Sequence, residues 1–312
     1  MFSPPKNPSA VRSIVLVGDQ QRAFWFERVL GRKQNDAARR KIVESVAQER
    51  PDLVVLLGDQ VFCGALASDW RRYDRLVAPW REAGLSVCCL AGNHDYYLNP
   101  KRGRKHLRSR FENQQETPWF RFEIGELLLI GLDSNRWVLG RRRWKEQMDW
   151  FADRLAGARA RPEIRGVLVC LHHPPFTNCR IGWDREELHE ALLPEFLSTR
   201  KTLAMVSGHT HAFERFVKGE KTYLVCGGGG GFRMSLLEGA DQRHRDRCTL
   251  PCPRPFHYVR IDRKDDGLHF GIWGFDGVED PLRSIDQFRL DYPKVEGSSK
   301  RPSGEGENSS TA

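Results

Sequence analysis

The sequence predicts an α/β fold with much parallel sheet, and two observations carry that reading. Short apolar, β-branched runs recur at 13–18, 52–58, 85–92, 127–133, 166–173, 202–208 and 222–228. Hydrophobicity that is nearly continuous over five or six residues marks strands covered on both faces. Helical patterns lie between several of these runs, and strand–helix–strand alternation is how parallel sheet is connected.

Taken in order, SIVLVG ends in Gly18-Asp19-Gln20-Gln21. The segment NDAARRKIVESVAQERP reads as a helix with Asn35 or Asp36 as N-cap, Ile42, Val43 and Val46 as its apolar positions, and Pro51 as terminator. DLVVLLG ends in Gly58-Asp59, repeating the first strand's ending, and LSVCCLAG runs into Gly92-Asn93-His94-Asp95. After LLLIGLD, the stretch WKEQMDWFADRLAGA sets Trp144, Met148, Phe151 and Leu155 on one helical face. GVLVCLHH delivers His172 and His173, and EELHEALLPEFLSTR is a third helix, interrupted at Pro194. TLAMVSG leads into Gly208-His209-Thr210-His211. TYLVCGG opens the glycine run 226–232, which lacks the strand–GxxxxGK[ST]–helix context of a nucleotide loop and reads as tight backbone near a site. Residues 1–12 form an N-terminal extension, 13–290 one domain, and 291–312, polar and rich in Gly and Ser, a disordered tail.

With 312 residues, 39% of them hydrophobic, the chain can bury a sizeable core, and no run approaches the length of a membrane-spanning helix. The N-terminus lacks the apolar segment of a signal peptide. The eight cysteines sit mostly inside apolar runs, which suits buried thiols in a reducing cytosol, so a cytoplasmic location is expected. Cys248 and Cys252 have no matching second pair and make only a weak zinc signal. The net charge of +9, with basic clusters at 99–110 and 241–248, favours phosphate-bearing partners. Neither cluster interleaves aromatics, so a small phosphate ester is favoured over nucleic acid.

The residues just after the strands form the informative set: Asp19 and Gln21, Asp59, Asn93 with His94 and Asp95, His172 and His173, His209 and His211. Ligands of open α/β sheets bind outside the carboxyl ends of the strands. Five strand ends here carry carboxylate, amide or imidazole groups, a mixture that suits Zn²⁺, Mn²⁺, Fe or Co²⁺. They are too many for one ion with an open position. Two ions ~3.5–4 Å apart, sharing one carboxylate, would use them all.

These motifs resemble the calcineurin-like metallophosphoesterase superfamily. Its order is Asp-x-His, Gly-Asp, Gly-Asn-His-Asp/Glu, His, Gly-His-x-His; this chain reads Asp19-x-Gln21, Gly58-Asp59, Gly92-Asn93-His94-Asp95, Val169-x-x-His172 and Gly208-His209-x-His211. The strings GHTHAFERF and HHPPF are similar to those of the purple-acid-phosphatase-like branch. The resemblance implies a four-layer α/β/β/α sandwich with two mixed sheets. It implies hydrolysis of a phosphomonoester or phosphodiester by a dinuclear centre of two divalent ions (Mn, Fe, Zn or Mg) and a bridging hydroxide. Asp59 would bridge the ions, Asp19 and His211 complete the first site, and Asn93, His172 and His209 the second. His173 would stand outside the ligand set. His94 would serve as acid or phosphoryl donor, oriented and charge-stabilised by Asp95.

Two positions depart from the pattern. Gln21 replaces the motif-one histidine, and Phe62 stands where a purple acid phosphatase has its tyrosine ligand, so no tyrosinate-bound Fe(III) is implied. Gln21 is either a neutral oxygen ligand, which leans the first site toward Mn²⁺, Mg²⁺ or Fe²⁺, or a hydrogen-bonding neighbour of it. A nuclease of the same superfamily, or a binding protein that keeps the fold without catalysis, are the alternatives. Segments 95–126 and 232–256 are expected to set specificity. Trp119, Trp137 and Trp183 read as core, with one lining a pocket, and Arg233, Arg243 and Arg245 read as surface or as a grip on a second phosphate.

Overall fold

The computed structural model describes residues 1–23, 35–182 and 184–294. Trp183 and the tail from 295 onward therefore lie outside the described residues. The seven expected strands are all present, as β1 (Ser13–Val17), β2 (Leu53–Leu56), β3 (Val87–Cys89), β5 (Leu127–Gly131), β6 (Gly166–Cys170), β7 (Thr202–Ser207) and β9 (Lys221–Cys226). Five further strands join them: β4 (Phe120–Ile124), β8 (Phe213–Lys218), β10 (Phe256–Lys264), β11 (Gly267–Phe275) and β12 (Arg283–Asp291). The sheets run β12-β11-β10-β1-β2-β3 and β4-β5-β6-β7-β9-β8. Both are mixed: β1-β2-β3 and β5-β6-β7-β9 are parallel, while β10–β12, β4 and β8 pair antiparallel.

Strand parity generates four layers. Ile14, Leu16, Leu53 and Val55 of the first sheet meet Leu127, Leu129, Leu168, Val206 and Leu224 of the second in one core between the sheets. The alternate residues point outward. Val15, Val17, Val54 and Leu56 pack on α1 (Asp36–Glu49), α2 (Ala67–Leu76) and α3 (Ala78–Glu82) through Ile42, Val43, Trp70, Tyr73 and Trp80. A short helix, α4 (Pro100–Arg108), extends this layer. Leu128, Ile130, Val167, Val169 and Met205 pack on α5 (Arg136–Ala160) and α6 (Glu186–Leu197) through Phe151, Leu155, Leu192 and Phe196. Two buried faces per central strand explain the continuous apolar runs. The outcome is the expected α/β/β/α sandwich.

Details differ from the sequence reading. Asn35 precedes α1, but its side chain does not cap it; its amide donates to the Gly231 carbonyl (3.1 Å), tying the helix start to the glycine run. Helix α5 begins about two turns earlier than its apolar face suggests and breaks at Gly140 (φ 71°). Pro194 lies inside α6 without ending it. The N-terminal segment is docked: Phe2 is buried and its N–H donates to Arg110 O. The ordered body also passes residue 290, because Asp291 ends β12 and Tyr292 is buried. All eight cysteines are free thiols, with Cys248 in the core between the sheets and Cys252 packed against Cys179, Ala212 and Leu236. They serve separate packing clusters. No helix among the described residues is long and apolar enough to cross a membrane.

Candidate metal centre

The ends of β1, β2 and β3 bring Asp19, Gln21, Asp59, Asn93 and His94 to one rim, and the ends of β6 and β7 bring His172, His173, His209 and His211 against them from the other sheet. Three of these residues sit in the left-handed backbone region without being glycine: Asp19 (φ 61°), Asp59 (φ 57°) and His209 (φ 71°). Such strain persists only where surroundings over-determine it, and it collects at functional sites. The neighbouring glycines make the approach possible. A Cβ on Gly92 would stand 2.0 Å from Asp59 Oδ1 and 2.4 Å from its backbone nitrogen.

Backbone carbonyls fix the imidazoles. His172 Nδ1–H donates to Leu57 O (2.8 Å), His211 Nδ1–H to Phe232 O (2.6 Å) and His94 Nδ1–H to Phe62 O (2.8 Å). Each contact leaves Nε2 as the free ring nitrogen. His172 Nε2 then faces Asn93 Oδ1 (3.1 Å), His209 Nδ1 (3.3 Å) and Asp59 Oδ2 (3.4 Å). On the other side, Asp19 Oδ1 lies 3.5 Å from His211 Nε2. Asp59 Oδ2 reaches both groups, being also 3.2 Å from the Gln21 amide nitrogen, while Asp59 Oδ1 is engaged by the His94 N–H (2.8 Å).

Burial raises the Asp19 carboxyl well above its usual range, although the His172 charge opposes this. Burial acts on Asp59 in the same sense, yet His172, followed by His94, holds it below the ordinary carboxylate range. For His172, burial pushes downward and the Asp59 carboxylate more than offsets it, lifting the imidazole to about 9. Burial, followed by the neighbouring imidazolium of His172, drives His209 well down, and burial brings His211 to about 4. Neutral imidazoles are the form in which histidine binds a metal.

These residues fit a pair of cations. Asn93 Oδ1, His209 Nδ1 and Asp59 Oδ2 all converge on His172 Nε2, whose proton a cation would displace, and Asp19, Asp59 and His211 cluster beside it. Acceptors buried face to face repel unless a proton or a cation lies among them. Gln21 is the informative member. Its amide N–H bridges Asp59 Oδ2 and His211 Nε2 (2.9 Å), and its Oε1 is buried without a partner. Turning the amide over would set that orphaned oxygen among the same acceptors, an arrangement that a cation makes favourable.

Asp95 requires a correction. Its carboxylate accepts the N–H groups of Asp59 (2.9 Å), Gln60 (3.1 Å), Val61 (3.3 Å) and Gly92 (2.9 Å), and so staples the loops after β2 and β3 together. The side chain points into backbone, and the group that orients His94 is the Phe62 carbonyl. Position 62 thus serves the site through its main chain, a role indifferent to the missing tyrosine hydroxyl.

Other neighbours went unread in the sequence. Ser134 Oγ, just past β5, accepts the His173 N–H (2.9 Å) and pairs with His173 Nδ1 (2.8 Å). A ring nitrogen of His173 lies within 4.8 Å of ring nitrogens of both His172 and His209, closer to the cluster than its place outside the ligand set suggested. Glu214 accepts from Thr177 Oγ1 (2.6 Å) and the Asn178 N–H (2.7 Å), tying the histidine loops after β6 and β7 to each other. The signal for Ser134 was the rule already applied to the other strands, polar groups following a strand end. The glycine run straps the β1 end: the N–H groups of Gly229 and Gly231 donate to Gly18 O (2.8 Å) and Asp19 O (2.9 Å). Arg243 is used in holding the Thr177 and Cys179 carbonyls, and Arg233 lies over Phe256.

Comparison with known proteins agrees with this geometry. Residues 12–213 match the family described as Calcineurin-like phosphoesterase. No curated protein sequence matches the chain. Among solved structures, GAP50, the anchor in the inner membrane complex of Plasmodium, superposes with a TM-score of 0.66 at 13% identity over 91% of this chain and 90% of its own. A dimetal phosphatase from Danio rerio gives 0.62 at 17% identity, covering 91% and 99%. The purple acid phosphatase PPD1 from yellow lupin (Lupinus luteus) gives 0.62 at 16% identity, with 92% of this chain covering 55% of that one. At such identities these likenesses speak for the fold. With the match across most of the sandwich and all five motifs, they lead to one assignment: the chain belongs to the calcineurin-like phosphoesterase family.

Proposed function

We propose that the protein is a metal-dependent hydrolase of phosphomonoesters or phosphodiesters, acting in the cytoplasm, where its free thiols would stay reduced. The observation that carries this reading is Asp59 Oδ2, one carboxylate oxygen within 3.4 Å of both His172 Nε2 and the Gln21 amide. Asp59 would be the shared ligand; Asp19, His211 and Gln21 would hold one ion, and Asn93, His172 and His209 the other. The ions would supply Lewis-acid activation of water and of the phosphoryl oxygens. His94, its Nδ1–H held by the Phe62 carbonyl, keeps Nε2 free to protonate the leaving oxygen or to donate to the phosphoryl group. Asp95 holds the two loops whose backbone sets the Asp59–His94 separation.

Gln21 supports a second reading, because an amide N–H at the first site favours a protein that keeps the fold without turnover. Metal content together with hydrolysis of p-nitrophenyl phosphate and bis-p-nitrophenyl phosphate separates the two. Turnover by Mn²⁺-loaded protein is expected. Full metal loading without turnover of either ester would sink the enzymatic reading.

A further inference from the structure

The ring of His94 is not alone at the mouth of the site. Phe62 stands beside it with its centroid 5.0 Å away, tilted by 47°, and Tyr97 is at 5.9 Å, also tilted by 47°. Phe62 and Tyr97 meet edge to face at 6.0 Å, closing a triangle of rings. Phe62 is buried at the base, whereas Tyr97 is 46% exposed and followed by Leu98, 72% exposed and in the left-handed region (φ 63°). A branched apolar residue in that conformation, turned to solvent, costs free energy in backbone and in hydration alike. The turn is nevertheless fixed, by Tyr97 N–H to His94 O (3.1 Å) and Asn99 N–H to Tyr97 O (2.9 Å).

A further exposed aromatic lies on a segment tied to this loop. Trp137, in the first turn of α5, is 65% exposed. That turn is bound to the His94 loop by Asn135 Nδ2–H to Ala91 O (2.9 Å) and by Tyr96 Oη–H to Asp133 Oδ2 (2.9 Å). Tyr97 is thereby held beside the residue assigned to the leaving oxygen, and Trp137 is carried on a segment cross-linked to the same loop. Among the described residues most large aromatics are buried, and Tyr97 and Trp137 are exceptions.

Building on the phosphoesterase reading, we propose that Tyr97, Leu98 and Trp137 form a platform for a planar ring on the leaving side of the substrate, so that the enzyme prefers nucleotides to phosphate esters of simple sugars. A leaving oxygen placed at His94 sets the alcohol's substituent against Tyr97, where ring faces and the tyrosine hydroxyl offer stacking and one polar contact.

The test uses two ligands that share a primary-alcohol leaving oxygen and differ by the base, adenosine 5′-monophosphate and ribose 5-phosphate. Their competition constants are measured against hydrolysis of whichever nitrophenyl ester the Mn²⁺-loaded protein turns over. Expected is a roughly tenfold or greater preference for the nucleotide, within what stacking of one base gives. Tyr97→Ala and Trp137→Ala should each shrink that ratio, while Tyr97→Phe, which keeps the ring, preserves it. Equal constants in the native protein, or variants that weaken both ligands alike, overturn the platform and leave the phosphoesterase reading standing. No turnover of any ester overturns both.

Discussion

The amide nitrogen of Gln21 lies 2.9 Å from Nε2 of His211, in the space where a first ion would meet the imidazole. Replacing Gln21 by His restores an imidazole there and removes the orphaned amide oxygen. The variant Gln21→His is expected to bind the first ion ~10-fold or more tightly, the scale on which ligand-shell changes act. Chelator competition on the purified protein measures this without reference to turnover. Unchanged affinity would mean that position 21 does not reach the ion.

Asp59 serves both clusters through one oxygen, so its loss should not be local. Asp59→Asn is expected to reduce bound metal below one ion per chain and to abolish detectable hydrolysis. Elemental analysis beside an activity assay checks the pairing. Two ions at full occupancy in this variant would contradict the shared-ligand role.

His94 is held by a carbonyl and by its neighbours' rings, outside both ligand groups. His94→Ala should therefore lower kcat by ~10²–10⁴, the usual range for a lost general acid, with both ions retained. The loss should be smallest for esters whose leaving alcohol is already acidic, such as p-nitrophenol. Loss of metal would move His94 into the ligand set.

Glu214 gives a prediction in pH. Burial raises its carboxyl to about 7, against the Thr177 and Asn178 hydrogen bonds that lower it. Its unfolded value lies near ~4.3. The folded state thus keeps a proton that the unfolded chain releases over this interval, so the contribution to stability is full below the unfolded value and declines as pH rises toward 7. Glu214→Gln, neutral throughout, should flatten the metal-free protein's stability between pH 5 and 7.5 in urea unfolding. The native chain should lose on the order of 2–3 kcal/mol across that window relative to the variant. Parallel curves for the two would show that Glu214 is ionised in the folded state at all these values.

The parts of the fold legible in the sequence were those with a one-dimensional signal. Seven strands buried on both faces announced themselves as continuous apolar runs, and their ends supplied the ligand residues. Strands β10 to β12 were unread because residues such as Arg260, Asp262, Asp286 and Arg289 alternate with apolar ones, as expected of antiparallel strands less completely covered. Asp95 shows a second limit. Adjacency to His94 suggested a partner, but the 3-10 turn at 94–96 aims its carboxylate back into the β2 loop. Chain neighbours share a backbone, and their side chains need not share a direction. Asn35 failed in the same way, being drawn off its cap by a carbonyl 196 positions away.

The pairing of β1 with β10 has a consequence for how the protein is made. Every proposed metal ligand has been synthesised once His211 is complete, yet β1 is hydrogen-bonded along one edge only until Phe256–Lys264 arrives to fill the other. During translation the strand carrying Asp19 therefore waits with an open edge, the kind of surface on which nascent chains cross-pair. A message truncated between the last ligand and residue 256 would encode the full set of chemical groups and still release an aggregating polypeptide.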